Sequence, residues 1–226
     1  MRRGFSFSLR PVVYRREHTV RKPPPNADLL EVLWQDSHIL TDYMIRLILN
    51  HDHLLGALVE AMESCRHRLF ISTADVKDLH FPPEGISRIT GKLRTKAGSI
   101  VDAIEAISAR GVETRLLHSS VPSGPFLREL KAGKPSGLTM RRCVRVHAKA
   151  VIADGRWMYL GSANLTGAGL GAKSARRRNF EAGVCTDQLG LIDPVLDMLD
   201  SIWSGRECTQ CDRKDYCPVP LEEPNL

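Results

Sequence analysis

The chain has 226 residues, 42% of them hydrophobic and 26% charged, with a net charge of +6. These values suit one large soluble domain, or a domain with appendages, with a sizeable core. No apolar run is long enough to span a bilayer. The basic start, MRRGFSFSLRPVVYRRE, lacks an apolar core of signal-peptide length, so a cytoplasmic protein with no stable membrane insertion is expected.

Residues 1–26 form a basic arm ending in RKPPPNAD, where three consecutive prolines stop any regular element. This arm is expected to be mobile. Residues 1–22 hold seven Arg and Lys against Glu17, which accounts for the whole net charge. From Asp28 to about Arg66 apolar residues recur at helical spacing, as in HLLGALVEAMESC, and predict helices. HRLFIST reads as a strand, SIVDAIEAISARG as a helix closed by glycine, and VETRLLHS as the next strand. Strand, helix, strand indicates a parallel βαβ unit and an α/β class. RCVRVHAKAVIADGRWMYLGS follows, then RNFEAGVCT as a strand and LIDPVLDMLDSIW as a helix.

The Asp154-Gly155 dipeptide signals a two-residue hairpin turn with positive φ at both positions. Ala153 is then expected opposite Arg156, and His147 opposite Ser162. That register puts His147, Lys149, Ser162 and Asn164 on one face at one end of the hairpin, with Asp154 shaping the turn at the other. A one-residue slip would undo it. Lysine and asparagine donate to phosphate oxygens, while imidazole attacks phosphorus or moves a proton. An isolated H-x-K is more often a satisfied histidine beside a snorkelling lysine.

Here it is not isolated. HAKAVIADGRWMYLGSAN fits H-x-K-x4-D-x6-G-S-x-N without a gap, and NFE follows at Asn179 to Glu181. This resembles the HKD signature of the phospholipase D superfamily, over about 35 residues. The resemblance implies a mixed or parallel β-sheet flanked by helices, with one half-site per chain. It implies His147 as the nucleophile that forms a phosphohistidine. Lys149, Ser162, Asn164 and Asn179 would serve the phosphoryl oxygens or the surroundings of the histidine, and Glu181 would hold its far ring nitrogen. Asp154 and Gly161 complete the motif structurally. No catalytic metal is implied.

In-line displacement needs a nucleophile and a leaving-group acid on opposite sides of phosphorus, and one His147 cannot be both. Family members with a single motif pair two chains, so a homodimer is expected. His51, His53 and His118 lack motif companions and read as surface or packing residues; His80 could line the cleft. Residues 138–181 carry nine Arg and Lys against Asp154 and Glu181, whereas residues 182–226 carry three against nine acids. Such a basic block suits a polyanion, with a solvated charged face as the alternative. Arg141, Arg142 and Arg145, with Lys173, Arg176, Arg177 and Arg178 in the glycine-rich TGAGLGAKSARRRN, are the expected phosphate-backbone contacts.

CTQCDRKDYCP spaces Cys208, Cys211 and Cys217 as C-x2-C-x5-C-P, a metal-like pattern in a cytoplasmic chain. Cys65 and Cys185 sit in apolar patterns that read as core. Cys143, expected on the strand of His147, is the favoured fourth ligand and Cys185 the runner-up. The spacing is similar to the iron–sulfur staple of RecB-type nucleases, over about ten residues. The expected group is a structural [4Fe–4S] cluster or zinc, with no cofactor required for catalysis. The organisation is thus an arm at 1–26, a phospholipase D-like catalytic domain at 27–203 and a cysteine-rich tail at 204–226. The expected function is a metal-independent nuclease acting on DNA or RNA. The alternatives are a lipid-active phospholipase or phosphatidyltransferase, and a nucleic-acid-binding module with vestigial chemistry.

Overall fold

The computed structural model describes residues 43–133, 135–213 and 217. The predicted arm lies outside them, as do residues 27–42 of the predicted domain and 214–216 and 218–226 of the predicted tail. Among the described residues, β1 (Ile45–Leu49), β2 (Arg68–Thr73), β5 (Glu113–His118), β6 (Leu138–Arg142), β7 (Lys149–Ala153), β8 (Trp157–Gly161) and β9 (Ala182–Thr186) form one mixed sheet. Its order is β1-β9-β8-β7-β2-β5-β6, and β3 (His80–Phe81) pairs apart with β4 (Gly98–Ser99). β2, β5 and β6 are parallel, and the remaining neighbours are antiparallel. A π-helical turn, Leu54–Val59, runs into α1 (Glu60–Ser64); α2 (Pro83–Thr90), α3 (Ile100–Ser108), α4 (Gly124–Gly133) and α5 (Leu189–Trp203) complete the elements. This is the expected α/β class with a helix-flanked mixed sheet.

The predicted βαβ unit is present: β2 and β5 are parallel neighbours joined through α3. Ser99 and Asp102 close a capping box at the start of α3, and Gly111, at φ 85°, turns the chain out after its end. One expectation fails within residues 28–66. Ile45–Leu49 is a strand on β9, not helix, because pairing with Ala182–Thr186 satisfies its backbone.

Burial follows the period-two alternation on both faces of the sheet, which is why β2 and β7 read as continuous apolar runs. Leu69, Ile71, Val151 and Ala153 join the core beneath α1 to α4, while Phe70, Ala150 and Ile152 join Ile192, Leu199 and Trp203 of α5.

β6 lies at a sheet edge, and β7 lies beyond β5 and β2. Residues 143–148 therefore cross roughly 14 Å of sheet, within the ~20 Å reach of six extended residues. They run over the C-terminal ends of the parallel strands. The amide of Cys143 donates to His118 O (2.8 Å), Ser119 Oγ to Val144 O (3.2 Å) and Ser72 Oγ to Ala148 O (3.0 Å). Cys143 accordingly sits in this crossing segment and not on the strand expected to carry His147.

The hairpin turn forms where predicted, but its register differs. Asp154 and Gly155 adopt φ 54° and 66°, and the Arg156 amide closes on Ala153 O at 3.0 Å. The ladder nevertheless pairs Ala153 with Trp157 and Lys149 with Gly161. Arg156 is squeezed out as an unpaired extra residue. His147 is thus not opposite Ser162, and Ser162 follows Gly161 onto the opposite side of the pleat from Lys149.

Candidate active site

The end of β2, the start of β7, the end of β8 and the start of β9 coincide at one end of the sheet. Crevices at the C-terminal ends of parallel strands are where α/β sheets gather ligands. His147 is exposed there, on the crossing segment, two residues before β7. Lys149 is buried, at 7% exposure, and its ammonium donates to His147 O (2.7 Å) and His147 Nε2 (3.1 Å). Burial pushes Lys149 down, and the charges of Asp75 and Glu181 partly restore it.

Ser162 and Glu181 meet across β8 and β9. Ser162 Oγ donates to Glu181 Oε2, Asn179 Nδ2 donates to Glu181 Oε1 at 2.9 Å, and the Ala182 amide donates to Ser162 Oγ at 3.1 Å. Glu181 therefore spends its oxygens on Ser162 and Asn179. Among the described residues it makes no hydrogen bond to His147, the partner that the resemblance implied. Its link to His147 runs through the charge it exerts on Lys149.

Asn164 is held differently. Its Oδ1 accepts from Thr73 Oγ1 (3.2 Å) and from the Ala74 (3.1 Å) and Asp75 (3.2 Å) amides. Three donors on the oxygen fix the carboxamide, so its Nδ2 is the end left to donate. Gly169 makes this possible: a Cβ there would lie 2.7 Å from Asn164 O. Gly161 has a comparable reason. A Cβ on it would collide with Tyr159 Oη and lie 2.8 Å from Ala182 O.

Sequence reasoning missed the supporting roles of several residues. Thr73 also accepts the Leu165 amide at 3.0 Å. Asn50, at φ 50°, exchanges bonds with Glu181: its amide donates to Glu181 O (2.9 Å) and its Oδ1 accepts the Glu181 amide (3.3 Å). His53 is fully buried, donates Nδ1–H to Asn50 O (2.8 Å) and stands edge-on to Tyr159 with ring centroids 5.4 Å apart. Burial holds His53 below the ordinary histidine range. The polar run NHDH before an apolar helix was the available signal. His51 and His118 are surface and packing residues respectively, as expected.

Asp154 lies at the opposite end of β7 from His147. Its carboxylate accepts the Arg66, His67 and Arg68 amides, each at 2.8 Å, and the Cys65 thiol at 3.4 Å. It clamps the entry to β2 while shaping the turn.

The expected phosphate contacts divide. Arg141 donates to Trp203 O (2.6 Å) and lies over the Trp203 ring at 4.9 Å, Arg142 donates to Ser119 O (3.1 Å), and Arg145 donates to Cys211 Sγ (3.6 Å). These bonds tie the crossing segment and β6 to their surroundings and leave other guanidinium donors of each arginine for further partners. Lys173, Arg176 and Arg177 are exposed and Arg178 half-buried, on the loop between Asn164 and Asn179. Phe180, at 97% exposure, stands between Asn179 and Glu181. Cys143, Cys208, Cys211 and Cys217 are half-buried. Among the described residues no three His, Cys, Asp or Glu side chains stand at metal-binding spacing. Cys185, the runner-up ligand, is fully buried with its thiol pushed up to about 12 by burial.

An exposed imidazole, a buried ammonium on its ring nitrogen and a pinned carboxamide thus stand at the head of a mixed α/β sheet. A family model described as "Cardiolipin synthase, PLD-like domain" matches residues 84–203. That is more than half of the chain, which belongs to this family of the phospholipase D superfamily. Membership supports a phosphodiester-acting enzyme at the level of the superfamily. No curated protein matches the sequence. Among solved structures, the chain is similar to Nuc from Salmonella typhimurium, a phospholipase D family member, at 15% identity and a TM-score of 0.54, covering 81% of this chain and 99% of that one. It is also similar to NucT from Helicobacter pylori, at 16% identity and a TM-score of 0.50, covering 70% and 94%. These likenesses show a shared fold.

Proposed function

We propose that the chain is a nuclease that cleaves phosphodiesters through a phosphohistidine on His147, without a catalytic metal, as a homodimer. The observation that carries this is the exposed His147 ring with the Lys149 ammonium 3.1 Å from its Nε2. An ammonium only donates, so Nε2 meets it with a lone pair, which is freed to attack when the ammonium turns to a phosphoryl oxygen. The Lys149 ammonium and Asn164 Nδ2 are the donors that would take the phosphoryl oxygens.

In the first step the Nε2 lone pair bonds to phosphorus and the P–O bond to the leaving group breaks. The departing oxygen takes a proton from the partner's His147, which enters the step as the imidazolium. Water then attacks phosphorus and yields its proton to that imidazole, and the P–N bond breaks to restore His147. The exposed Lys173, Arg176 and Arg177 beside this site favour a polyanionic backbone as substrate.

The test is incubation with plasmid, single-stranded DNA, RNA and phosphatidylcholine vesicles in EDTA, with His147→Ala as control. Cleavage of nucleic acid alone, lost in His147→Ala, is expected, with acid-labile and base-stable phosphate on the wild-type chain. Hydrolysis of the vesicles alone, or full activity of His147→Ala, overturns the reading. For the dimer, equal mixing of wild-type and His147→Ala chains after exchange should leave about one quarter of the activity, because only wild-type pairs hold two histidines. Half the activity, or an active monomer in sedimentation, refutes it.

A further inference from the structure

The six cysteines form no disulfide among the described residues and divide by their surroundings. Cys65 and Cys185 are core residues whose thiols burial pushes up to about 12, and each donates to an oxygen, Asp154 Oδ1 and Gly56 O. The other four lie where two parts of the chain meet. Cys143 opens the crossing segment and packs against the core that α5 covers. Its turn is closed by the Val146 amide on Cys143 O at 3.0 Å.

After α5, Gly205 at φ 80° turns the chain back. The Cys208 amide then donates to Gly205 O (3.0 Å) and the Cys211 amide to Cys208 O (3.3 Å), so the C-x2-C pair is carried on one tight turn. Arg145, two residues after Cys143, bridges the two parts through its bond to Cys211 Sγ at 3.6 Å. Arg141, on Trp203, ties the same two parts one turn earlier.

We propose that Cys143, Cys208, Cys211 and Cys217 bind a thiophilic metal centre, zinc or an iron–sulfur cluster, which staples the segment after α5 to the crossing segment that carries His147. The placement of Cys143 carries this. Arg145, two residues after Cys143, reaches Cys211 across 66 positions of sequence, so the fold itself brings the Cys143 segment to the C-x2-C turn, and nothing in the spacing demanded that.

The Arg145 guanidinium donates to Cys211 Sγ at 3.6 Å, an N–H on sulfur of the kind that steadies a ligating thiolate. Because no three ligand groups among the described residues stand at metal-binding spacing, loading must draw the turn inwards. Residues 206–213 are mostly exposed and bury no side chain, so packing resists this little. A centre closed by four thiolates offers no position to substrate and is structural.

The experiment is metal analysis and absorption spectroscopy of the full-length protein purified anaerobically, with thiol mapping by alkylation. About one zinc per chain in colourless protein, or up to about four irons in brown protein, is expected. Alkylation should spare Cys143, Cys208, Cys211 and Cys217 until a chelator strips the metal, and then label all four. Cys143→Ser and Cys208→Ser should each lose the metal. If these variants do not fold, the alkylation pattern of the wild type decides alone. Absence of iron and zinc, metal retained in Cys143→Ser, or Cys143 labelled equally before and after stripping overturns the proposal. A bound group of either kind, with protection of only the three tail cysteines, does so too.

Discussion

Removing the Asp154 carboxylate tests whether the aspartate of the motif serves the fold or the chemistry. Asp154→Ala deprives the Arg66, His67 and Arg68 amides of their acceptor, three bonds of 2.8 Å. A hydrogen bond to a charged group contributes about 1.5–3 kcal/mol, but Arg66 and His67 are exposed, so water replaces most of theirs. The net loss is about 2–4 kcal/mol, carried mainly by the half-buried Arg68 amide and the Cys65 thiol. For a chain of this size that lowers Tm by about 4–16 °C. Burial alone would raise the Asp154 carboxyl, yet the amides of Arg68, Arg66 and His67 and the Cys65 thiol outweigh it and hold it below the ordinary range. A lowered folded value means a contribution fully present above about pH 4 and lost as pH falls through that value. The gap between wild type and Asp154→Ala should therefore narrow on acidification. Urea midpoints across pH, with turnover of a small phosphodiester measured well below the transition, provide the assay. An unchanged midpoint with lost turnover would falsify the structural role.

Three further outcomes follow from the site. Gly161→Ala places a Cβ against Tyr159 Oη and Ala182 O and should cost about 1–3 kcal/mol in a thermal melt; an unaltered Tm means Tyr159 does not occupy that space. Arg176→Gln with Arg177→Gln should lower the salt dependence of nucleic-acid binding by about 0.7–0.9 in log–log slope per lost phosphate contact, while turnover of a small diester holds. An unchanged slope would remove this loop from the substrate path. Phe180→Ala, which deletes the exposed ring between Asn179 and Glu181, should weaken single-stranded substrate by about 1–3 kcal/mol if a base stacks there, and Phe180→Trp should restore it; equal losses in both variants exclude stacking.

The fold was legible wherever a local pattern carried the information. The apolar run of β2, the helix closed by Gly111, and β5 gave the parallel unit directly. β1 was not legible, because what makes Ile45–Leu49 a strand is β9, more than 130 residues later in the chain. The basic residues were read by charge alone, and charge does not reveal that Arg141 lies on Trp203 or that Arg145 reaches Cys211. The cysteine reading placed Cys143 on a strand, although the chain was already crossing the sheet.

The hairpin is the instructive failure. Its turn dipeptide and both positive φ angles were readable, but the extra residue at Arg156 moves every pair by one. A slip of that kind should scatter a site built from opposed side chains. It does not here, because the motif residues do not depend on facing one another across β7 and β8. His147 stands outside the ladder on the crossing segment, and Lys149 reaches back to it along the chain. Ser162 meets Glu181 across β8 and β9, where Gly161 pairs with Gly183 and the strands leave room for Tyr159. Asn164 lies past the end of β8 and is pinned by the amides that follow β2. Each group is thus set by the end of a different strand. The fixed spacing of the motif records the length of β7 and β8, from the crossing segment to the clamp at Asp154 and back. It is that length, and not the register, that returns Ser162 and Asn164 to the end of the sheet where His147 waits.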